Sequence, residues 1–304
     1  MRLESTVFGT TFQNPILLAS GTCGYGEELD DLFDIDRLGG MVTKAVTVEP
    51  RTGNASPRVA EFSAGMLNSI GLANVGLEAF QSEKLPWLHQ RLSKAHVLIN
   101  VAGKSIDEFA SIISALDPEN GFLGYELNLS CPNVGDGALF STREDLLHLA
   151  VRAARERTRR PLIAKLAPNV PDIGKMAEIA VAAGADGLTL INTVPGLLFD
   201  LDTRKPVLGN GSGGVSGAAL LPIGVHAVRQ ARRRVDVPII GAGGVRTAED
   251  ALQYLLAGAS LIQIGTATFA DPRAALRVIS GLEQSGSRLG ARSIVDLVGA
   301  GQLN

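Results

Sequence analysis

Polar side chains end several apolar runs of this 304-residue sequence, where apolar residues would be expected. The amides and ammonium groups among them are Lys44, Asn100, Asn128, Lys165 and Asn192. An unpaired buried ammonium is very costly, so each lysine needs a partner. Glu126 has the same strand facing as Asn128 and could pair with either lysine. The other partner that would suit them is a phosphorylated ligand with an electron-rich ring.

A thiol follows one of these runs. Cys131 opens the segment 131–141, in which Pro132 stops a helix and two glycines make the chain supple. With a reference pKa of about 8.5, such a thiol could act as a base or nucleophile, but a single cysteine is also a common core filler. Cys23 has the weaker claim to function.

Glycine-rich turns follow the last two apolar runs. Segment 241–251 passes from a strand through Gly243 and Gly244 into a helix start, and 263–269 repeats the pattern at Gly265 and Thr266. Backbone N–H groups at such turns, together with a helix N-terminus, bind anions. The sequence therefore predicts a phosphate site, although glycines also serve in tight turns alone.

The elements that must position these residues recur regularly along the chain. Eight apolar runs of strand length lie at residues 15–20, 41–46, 96–101, 125–130, 161–166, 187–192, 238–243 and 260–265. Helix-like segments separate them, which predicts parallel strands with helical crossovers. We interpret the chain as a (β/α)8 barrel forming one domain over 1–304, closed below by an N-terminal β-hairpin in 3–13. A doubly wound sheet is the alternative.

Four of the separating segments carry helix signals. They are 105–117, 142–158, 172–184 and 247–258. Ser105 with Glu108 and Thr142 with Asp145 have the spacing of a capping box. Gly184 is placed to end the third helix in a left-handed conformation.

Composition narrows the classes of function. The net charge is −3, and the arginine-rich segments lack interleaved aromatic residues, so we expect no nucleic-acid partner. Two cysteines and scattered histidines predict neither disulfides nor a metal site. With no apolar leader and no run of about 20 apolar residues, we expect a cytoplasmic protein without a membrane partner.

The sequence also resembles a known family along its whole length. The segments that carry the resemblance are 15-PILLASGTCGYG-26, 44-KAVTVEPRTGN-54, 57-PRVAE-61, 65-GMLNSIGLAN-74, 127-LNLSCPN-133, 191-INTV-194, 241-GAGGV-245 and 263-QIGTA-267. In these it is similar to dihydroorotate dehydrogenases. The resemblance implies an FMN-containing (β/α)8 barrel that oxidises dihydroorotate to orotate in pyrimidine synthesis.

The subclass follows from two of these segments. A cysteine at 131 is typical of the soluble class 1, because the membrane-bound class has serine there. Lys44 followed by 48-VEPRTGN-54 resembles the NAD-linked class 1B more than the fumarate-linked class 1A. Class 1B implies a homodimer core and a partner subunit with FAD and a [2Fe–2S] cluster.

The resemblance also implies a role for each matching residue. Cys131 would be the catalytic base. FMN would be lined by Ser20, Lys44, Ala45, Asn100, Asn128, Lys165, Ile191, Gly217, Gly243, Gly244, Gly265 and Thr266. Dihydroorotate or orotate would be held by Lys44, Asn68, Ser69, Ile70, Gly71, Leu72, Asn128, Asn192 and Thr193. Gly135-Asp136-Gly137 is less basic than expected for a lid over the substrate carboxylate.

Other barrels remain as alternatives from the sequence. A related flavin enzyme could act on another dihydropyrimidine, as dihydropyrimidine dehydrogenase does. A tRNA-dihydrouridine synthase is disfavoured by the acidic charge balance, and a flavin-free phosphate-binding isomerase would lack colour. The chain has no G-x-G-x-x-G after a strand and no four-cysteine set, so the sequence shows no site for a second cofactor. Whichever flavin enzyme it is, reduced FMN must therefore pass its electrons to a partner or a soluble acceptor.

Overall fold

Eight parallel strands close into a barrel in the computed structural model, which describes residues 1–130 and 140–302. The barrel strands are β3 (Ile16–Leu18), β4 (Gly40–Val42), β7 (His96–Val101), β8 (Gly124–Asn128), β9 (Leu162–Leu166), β10 (Gly187–Leu190), β13 (Ile239–Ala242) and β14 (Leu261–Ile264). Six of them lie within predicted apolar runs, and β4 and β8 begin one residue before theirs. β14 pairs with β3, which closes the ring. The predicted (β/α)8 fold is confirmed.

A short hairpin lies below the barrel, as predicted. β1 (Ser5–Val7) and β2 (Thr10–Phe12) pair antiparallel. Phe12 is fully buried and packs edge-on against His96, the first residue of β7, with ring centroids 4.6 Å apart. The hairpin therefore covers the amino-terminal ends of the strands and leaves their carboxyl ends for a site.

The barrel interior is apolar below and polar above. The lower layer includes Leu17, Val42, Leu98, Ile163, Ile240 and Leu261, which pack with Val7 and Phe12 of the hairpin. Side chains two residues further along a strand have the same facing and form the next layer. That layer contains Asn100, Lys165 and Gln263, all buried. The side chains predicted to do chemistry thus lie directly above a packed core.

Helices surround the barrel. The α-helices are α1 (Glu27–Asp30), α2 (Leu77–Ala79), α3 (Leu85–Arg91), α4 (Ile106–Leu116), α5 (Glu144–Arg155), α6 (Ile173–Ala182), α7 (Leu221–Arg232), α8 (Ala248–Ala257), α9 (Ala267–Ala270) and α10 (Ala274–Arg288). Shorter 3-10 turns are Ile35–Arg37, Phe140–Thr142, Ala218–Leu220 and Ile294–Leu297, and Phe80–Lys84 is a π-helix. In the described ranges, no helix has the length and apolarity needed to cross a membrane.

The predicted helix caps are partly right. Ser105 accepts the N–H of Glu108, and Gly184 follows α6 with φ +110°. Thr142 was wrong as a cap, because α5 is preceded by Arg143 and has no side-chain cap. The reason is Phe140, which is buried against Phe109 and holds residues 140–142 in a 3-10 turn.

A second sheet that the sequence pattern did not predict has four antiparallel strands. Its order is β11 (Val194–Gly196), β12 (Gly213–Ser216), β6 (Gly65–Asn68) and β5 (Val59–Phe62). β11 comes four residues after the end of barrel strand β10, so the sheet is joined to the carboxyl-terminal side of the barrel. Asn68 is the last residue of β6, and Gly217 directly follows β12.

Asp36 joins the turn before β7 to the 3-10 turn at 35–37. Its carboxylate accepts the N–H groups of Ser93, Lys94 and Ala95 at 2.7–3.0 Å and the Ser93 hydroxyl at 2.7 Å. Burial acts to raise its pKa, but these hydrogen bonds outweigh burial and hold the pKa below the ordinary 3.8.

Asp36→Asn is therefore expected to lower the free energy of unfolding by about 1–3 kcal/mol at neutral pH. A lowered pKa stabilises the fold above the unfolded-state pKa, and this contribution is lost as the pH falls through the folded-state pKa. Urea titrations at about pH 7 and pH 3 should show the gap between variant and wild type closing in acid. The exposed Asp202→Asn is the control, and a gap that persists in acid would contradict a role for the charge.

Candidate active site

A cavity of about 1080 Å³ opens at the carboxyl-terminal end of the barrel. Lys44, Asn128, Lys165 and Thr266 reach it from the barrel strands or the residues after them, and Asn68 reaches it from the second sheet. The cavity is large enough for a cofactor of several rings together with a small substrate.

Nearly all the residues predicted for the site line this one cavity. From the cofactor set these are Ser20, Lys44, Ala45, Asn128, Lys165, Ile191, Gly217, Gly243, Gly244, Gly265 and Thr266. From the substrate set they are Lys44, Asn68, Ser69, Ile70, Gly71, Leu72, Asn128, Asn192 and Thr193. Asn100 is the exception, because it is fully buried beneath the lining. What these residues bind remains a prediction.

Two asparagine side chains, Asn128 and Asn192, are hydrogen-bonded to each other at the cavity wall. Asn192 Nδ2 donates to Asn128 Oδ1 at 3.3 Å and to Ser130 Oγ at 2.8 Å. Asn192 Oδ1 accepts the N–H of Thr193 at 2.8 Å. Fixed amides of this kind can recognise a ring that presents both N–H and C=O groups along its edge.

The segment 69–72 is held in place by Asn54. Asn54 Nδ2 donates to Ser69 Oγ at 2.8 Å, and the Asn54 N–H donates to the Ile70 carbonyl at 3.0 Å. A Cβ at Gly71 would lie 2.4 Å from Asn54 Oδ1, and φ is +74° there, so the tight approach requires glycine. The segment is therefore preorganised at the cavity.

The glycine turns form a cradle, and the two residues just before α8 have their N–H groups satisfied within the protein. Asp250 takes the N–H groups of Arg246 and Thr247 in the capping box of α8. Within the described ranges, the N–H groups of Gly243, Gly244 and Thr266 donate to no protein acceptor. The N–H groups of these turns are therefore available to an anion.

Glu126 pairs with Lys165. The sequence had left open whether its partner is Lys44 or Lys165. Lys165 Nζ lies 3.3 Å from Glu126 Oε1, and both side chains are buried. Asn100 Nδ2 donates to the same oxygen at 2.8 Å, while Asn100 Oδ1 has no donor among the described residues. A buried acceptor without a donor fits a bound ring with an N–H group.

FMN fits what is present. The cradle offers N–H groups for a phosphate, and the polar floor offers an ammonium and an amide acceptor for a ring. The cavity has the volume for both. In the described part of the chain, no group of three or more histidine, cysteine, aspartate or glutamate side chains could hold a metal ion.

Sequence reasoning missed Gln263, which lines the cavity and is 1% exposed. It is the polar residue in the interior of the run 260–265, so the argument applied to the lysines would have found it. Arg51, Lys104 and Arg246 also line the cavity from loops, where no periodic signal marks them.

Cys131 and the residues Gly135, Asp136 and Gly137 lie outside the described residues. Cys23 lies inside them, fully enclosed, with its thiol donating weakly to the Ala19 and Val42 carbonyls at 3.5 and 3.4 Å. Burial, and after it the charge of Glu28, raises the pKa of this thiol to about 12.

Cys23 is therefore expected to resist alkylation in the native protein at about pH 8, because almost none of it is thiolate. Mass spectrometry after a timed iodoacetamide pulse should find Cys23 unmodified until urea unfolds the chain. Rapid native labelling of Cys23, with the same peptide modified in folded and unfolded samples alike, would show this thiol to be accessible.

The fold and this cavity define an enzyme class. A closed (β/α)8 barrel with glycine turns after its last two strands, and with paired polar side chains on its floor, is typical of barrel enzymes, in which a phosphate site frequently lies after strands seven and eight.

Comparison with known proteins identifies the family. The family model for dihydroorotate dehydrogenase matches residues 2–285. A relative in Geotalea uraniireducens, dihydroorotate dehydrogenase B (NAD(+)), catalytic subunit, is 43% identical over 98% of this chain and 97% of its own. The protein of that name in Streptococcus pneumoniae is 46% identical over 97% and 96%. A relative in Solibacter usitatus, provisionally named dihydroorotate dehydrogenase A (fumarate), is 46% identical over 98% of both.

The chain belongs to the dihydroorotate dehydrogenase family and is an oxidoreductase. The resemblance predicted from the sequence is confirmed, and the homologues include NAD-linked catalytic subunits.

Proposed function

We propose that this protein binds FMN and oxidises dihydroorotate to orotate in pyrimidine biosynthesis. The observation that carries the proposal is the convergence of both predicted residue sets on one cavity of about 1080 Å³. The dihydroorotate dehydrogenase names of the relatives support the substrate.

Different residues of the cavity bind the phosphate and the ring of FMN. The turns at Gly243, Gly244 and Thr266 hold the FMN phosphate with their N–H groups. Lys165 contacts the flavin ring from the barrel floor, and Asn100 lies buried beneath it. FMN, when bound, supplies the acceptor for a hydride.

The substrate is held by amides and an ammonium. Asn128 and Asn192 bind the pyrimidine edge, where N–H and C=O groups alternate. The preorganised segment 69–72 and Lys44 bind the carboxylate end. Positioning of this kind places the reacting carbons against the ring and supplies much of the rate enhancement.

Cys131 acts as the general base. Oxidation of dihydroorotate removes a proton from C5 and a hydride from C6 and leaves a C–C double bond between them. The Cys131 thiolate would take the C5 proton, and bound FMN would supply the acceptor for the hydride.

The electrons pass to NAD through a partner subunit with FAD and a [2Fe–2S] cluster. The words "catalytic subunit" in the names of the relatives support such a partner. The Solibacter usitatus relative supports a second candidate, in which fumarate is the acceptor. The chain works in the cytoplasm and forms a homodimer, for which the exposed apolar side chains of Leu197, Phe199 and Leu201 offer surface.

One experiment tests the proposal. The purified chain is expected to be yellow, and anaerobic dihydroorotate should bleach its flavin absorption while dihydrouracil should not. A colourless protein would contradict FMN binding, and bleaching by dihydrouracil alone would assign another dihydropyrimidine. Adding fumarate to the reduced protein, and separately co-purifying the chain with an iron–sulfur subunit and adding NAD, distinguishes the two acceptors.

A further inference from the structure

Glu126 lies in the barrel floor and is fully buried, and neither the family resemblance nor the proposed function gives it a role. Its Oε1 accepts Asn100 Nδ2 at 2.8 Å and Lys165 Nζ at 3.3 Å. Its Oε2 accepts Thr189 Oγ1 at 2.8 Å and Gln263 Nε2 at 2.6 Å. The Glu126 carboxylate thus accepts hydrogen bonds from four side chains.

The donors come from four different barrel strands. Asn100 lies on β7, Lys165 on β9, Thr189 on β10 and Gln263 on β14, while Glu126 itself lies on β8. Lys165 also donates to Gln263 Oε1 at 3.3 Å. Five of the eight strands therefore meet at this carboxylate, directly beneath the cavity.

Stability alone does not account for this arrangement. Removing two charges from water is expensive, and buried ion pairs replaced by apolar side chains often leave a protein equally stable or more so. The partners instead point to the cavity: Lys165 and Gln263 line it, and Asn100 keeps a buried acceptor without a donor in the described residues.

We propose that Glu126 is a positioning residue that fixes Lys165 against the flavin ring and offsets the ammonium charge there. The inference rests on the proposed function, because it concerns bound FMN. Glu126 does not line the cavity, so it acts only through its partners.

The charge balance has a consequence for the cofactor. A flavin ring that accepts a hydride gains two electrons and one proton, so a nearby uncompensated positive charge favours the reduced form. Because Lys165 forms an ion pair with Glu126, the charge of its ammonium is compensated within the floor. Glu126 thereby keeps the midpoint potential of FMN lower than the ammonium alone would set it.

Glu126→Gln tests the inference. Glutamine has the same shape as glutamate but carries no charge. Its Nε2 is a donor, so it faces other donors at a position where a carboxylate oxygen accepts hydrogen bonds. The dissociation constant of oxidised FMN is expected to rise about tenfold relative to that of reduced FMN. For a two-electron couple this equals a rise of about 30 mV in the midpoint potential, measured by anaerobic dye titration.

Two further variants separate positioning from a structural role. Thr189→Val removes one neutral donor to Oε2 and keeps both charges, so its potential should equal that of the wild type even if its thermal stability falls. Glu126→Asp restores the charge and is expected to return the potential towards the wild-type value. Equal potentials in all variants and the wild type would overturn the inference.

Failure of the proposed function gives a different result. If the wild-type protein binds no FMN, both the function and this inference fall. If Glu126→Gln alone does not fold, the neutral pair E126Q/K165Q is measured instead. Its potential is expected at or below the wild-type value because the ammonium, which is nearer the cavity, is gone. A higher potential in that variant would overturn the inference.

Discussion

Replacing Cys131 with alanine is expected to leave FMN bound and to slow flavin reduction by dihydroorotate about 10²- to 10⁴-fold, the usual contribution of a general base. The thiol would take the C5 proton, and alanine has no group that can. Anaerobic stopped-flow measurement of flavin bleaching gives the rate directly.

The control for this variant is Cys23→Ala. Cys23 is fully enclosed and its thiol has a pKa raised to about 12, so it holds no proton-accepting thiolate near neutral pH. Its loss should leave the rate of flavin reduction unchanged. In the wild type, the rate should rise with pH as the Cys131 thiol ionises; a rate that stays constant from about pH 6 to 9 would remove Cys131 from the mechanism.

Substituting Gly244 with alanine is expected to weaken FMN binding about a hundredfold. Gly244 has φ +75°, and a Cβ there would lie 2.6 Å from the backbone N of Leu221, the first residue of α7. The turn must shift to relieve this clash. Loss of two charge-assisted hydrogen bonds to the phosphate costs about 3 kcal/mol, which corresponds to that factor.

Gly290→Ala is the matched control, because Gly290 has nearly the same φ, +77°, with no atom within 4 Å of an added Cβ. It should cost about 1 kcal/mol of stability from the left-handed backbone alone and leave FMN affinity unchanged. Fluorescence titration of the apoproteins with FMN compares the two. Equal affinities in Gly244→Ala and Gly290→Ala would place the phosphate elsewhere.

The barrel could be predicted because a parallel strand buried on both faces has a strong apolar signal. All eight runs overlap a barrel strand, although several strands are only three or four residues long. The four-stranded second sheet gave no such signal. β12 reads GGVS and is half-buried throughout, and β5 alternates between exposed and half-buried residues, so neither resembles a core strand.

The site was predictable to the extent that it lies on barrel strands. Lys44, Asn128 and Lys165 stand out because a polar side chain in an apolar run needs a partner. Asn68 came only from the family resemblance, since its strand belongs to the unpredicted sheet. The choice of Lys165 over Lys44 as the partner of Glu126 depends on side-chain reach across the barrel, which a linear pattern does not contain.

The two sheets divide recognition between separate pieces of the architecture. Most groups assigned to the cofactor are on the barrel or its turns, whereas the segment assigned to the substrate carboxylate hangs from β6 and is braced by Asn54. Engineering for a different group at the carboxylate end of the substrate should therefore begin at residues 54–72, whereas a change in the pyrimidine edge requires Asn128 and Asn192 on the barrel side.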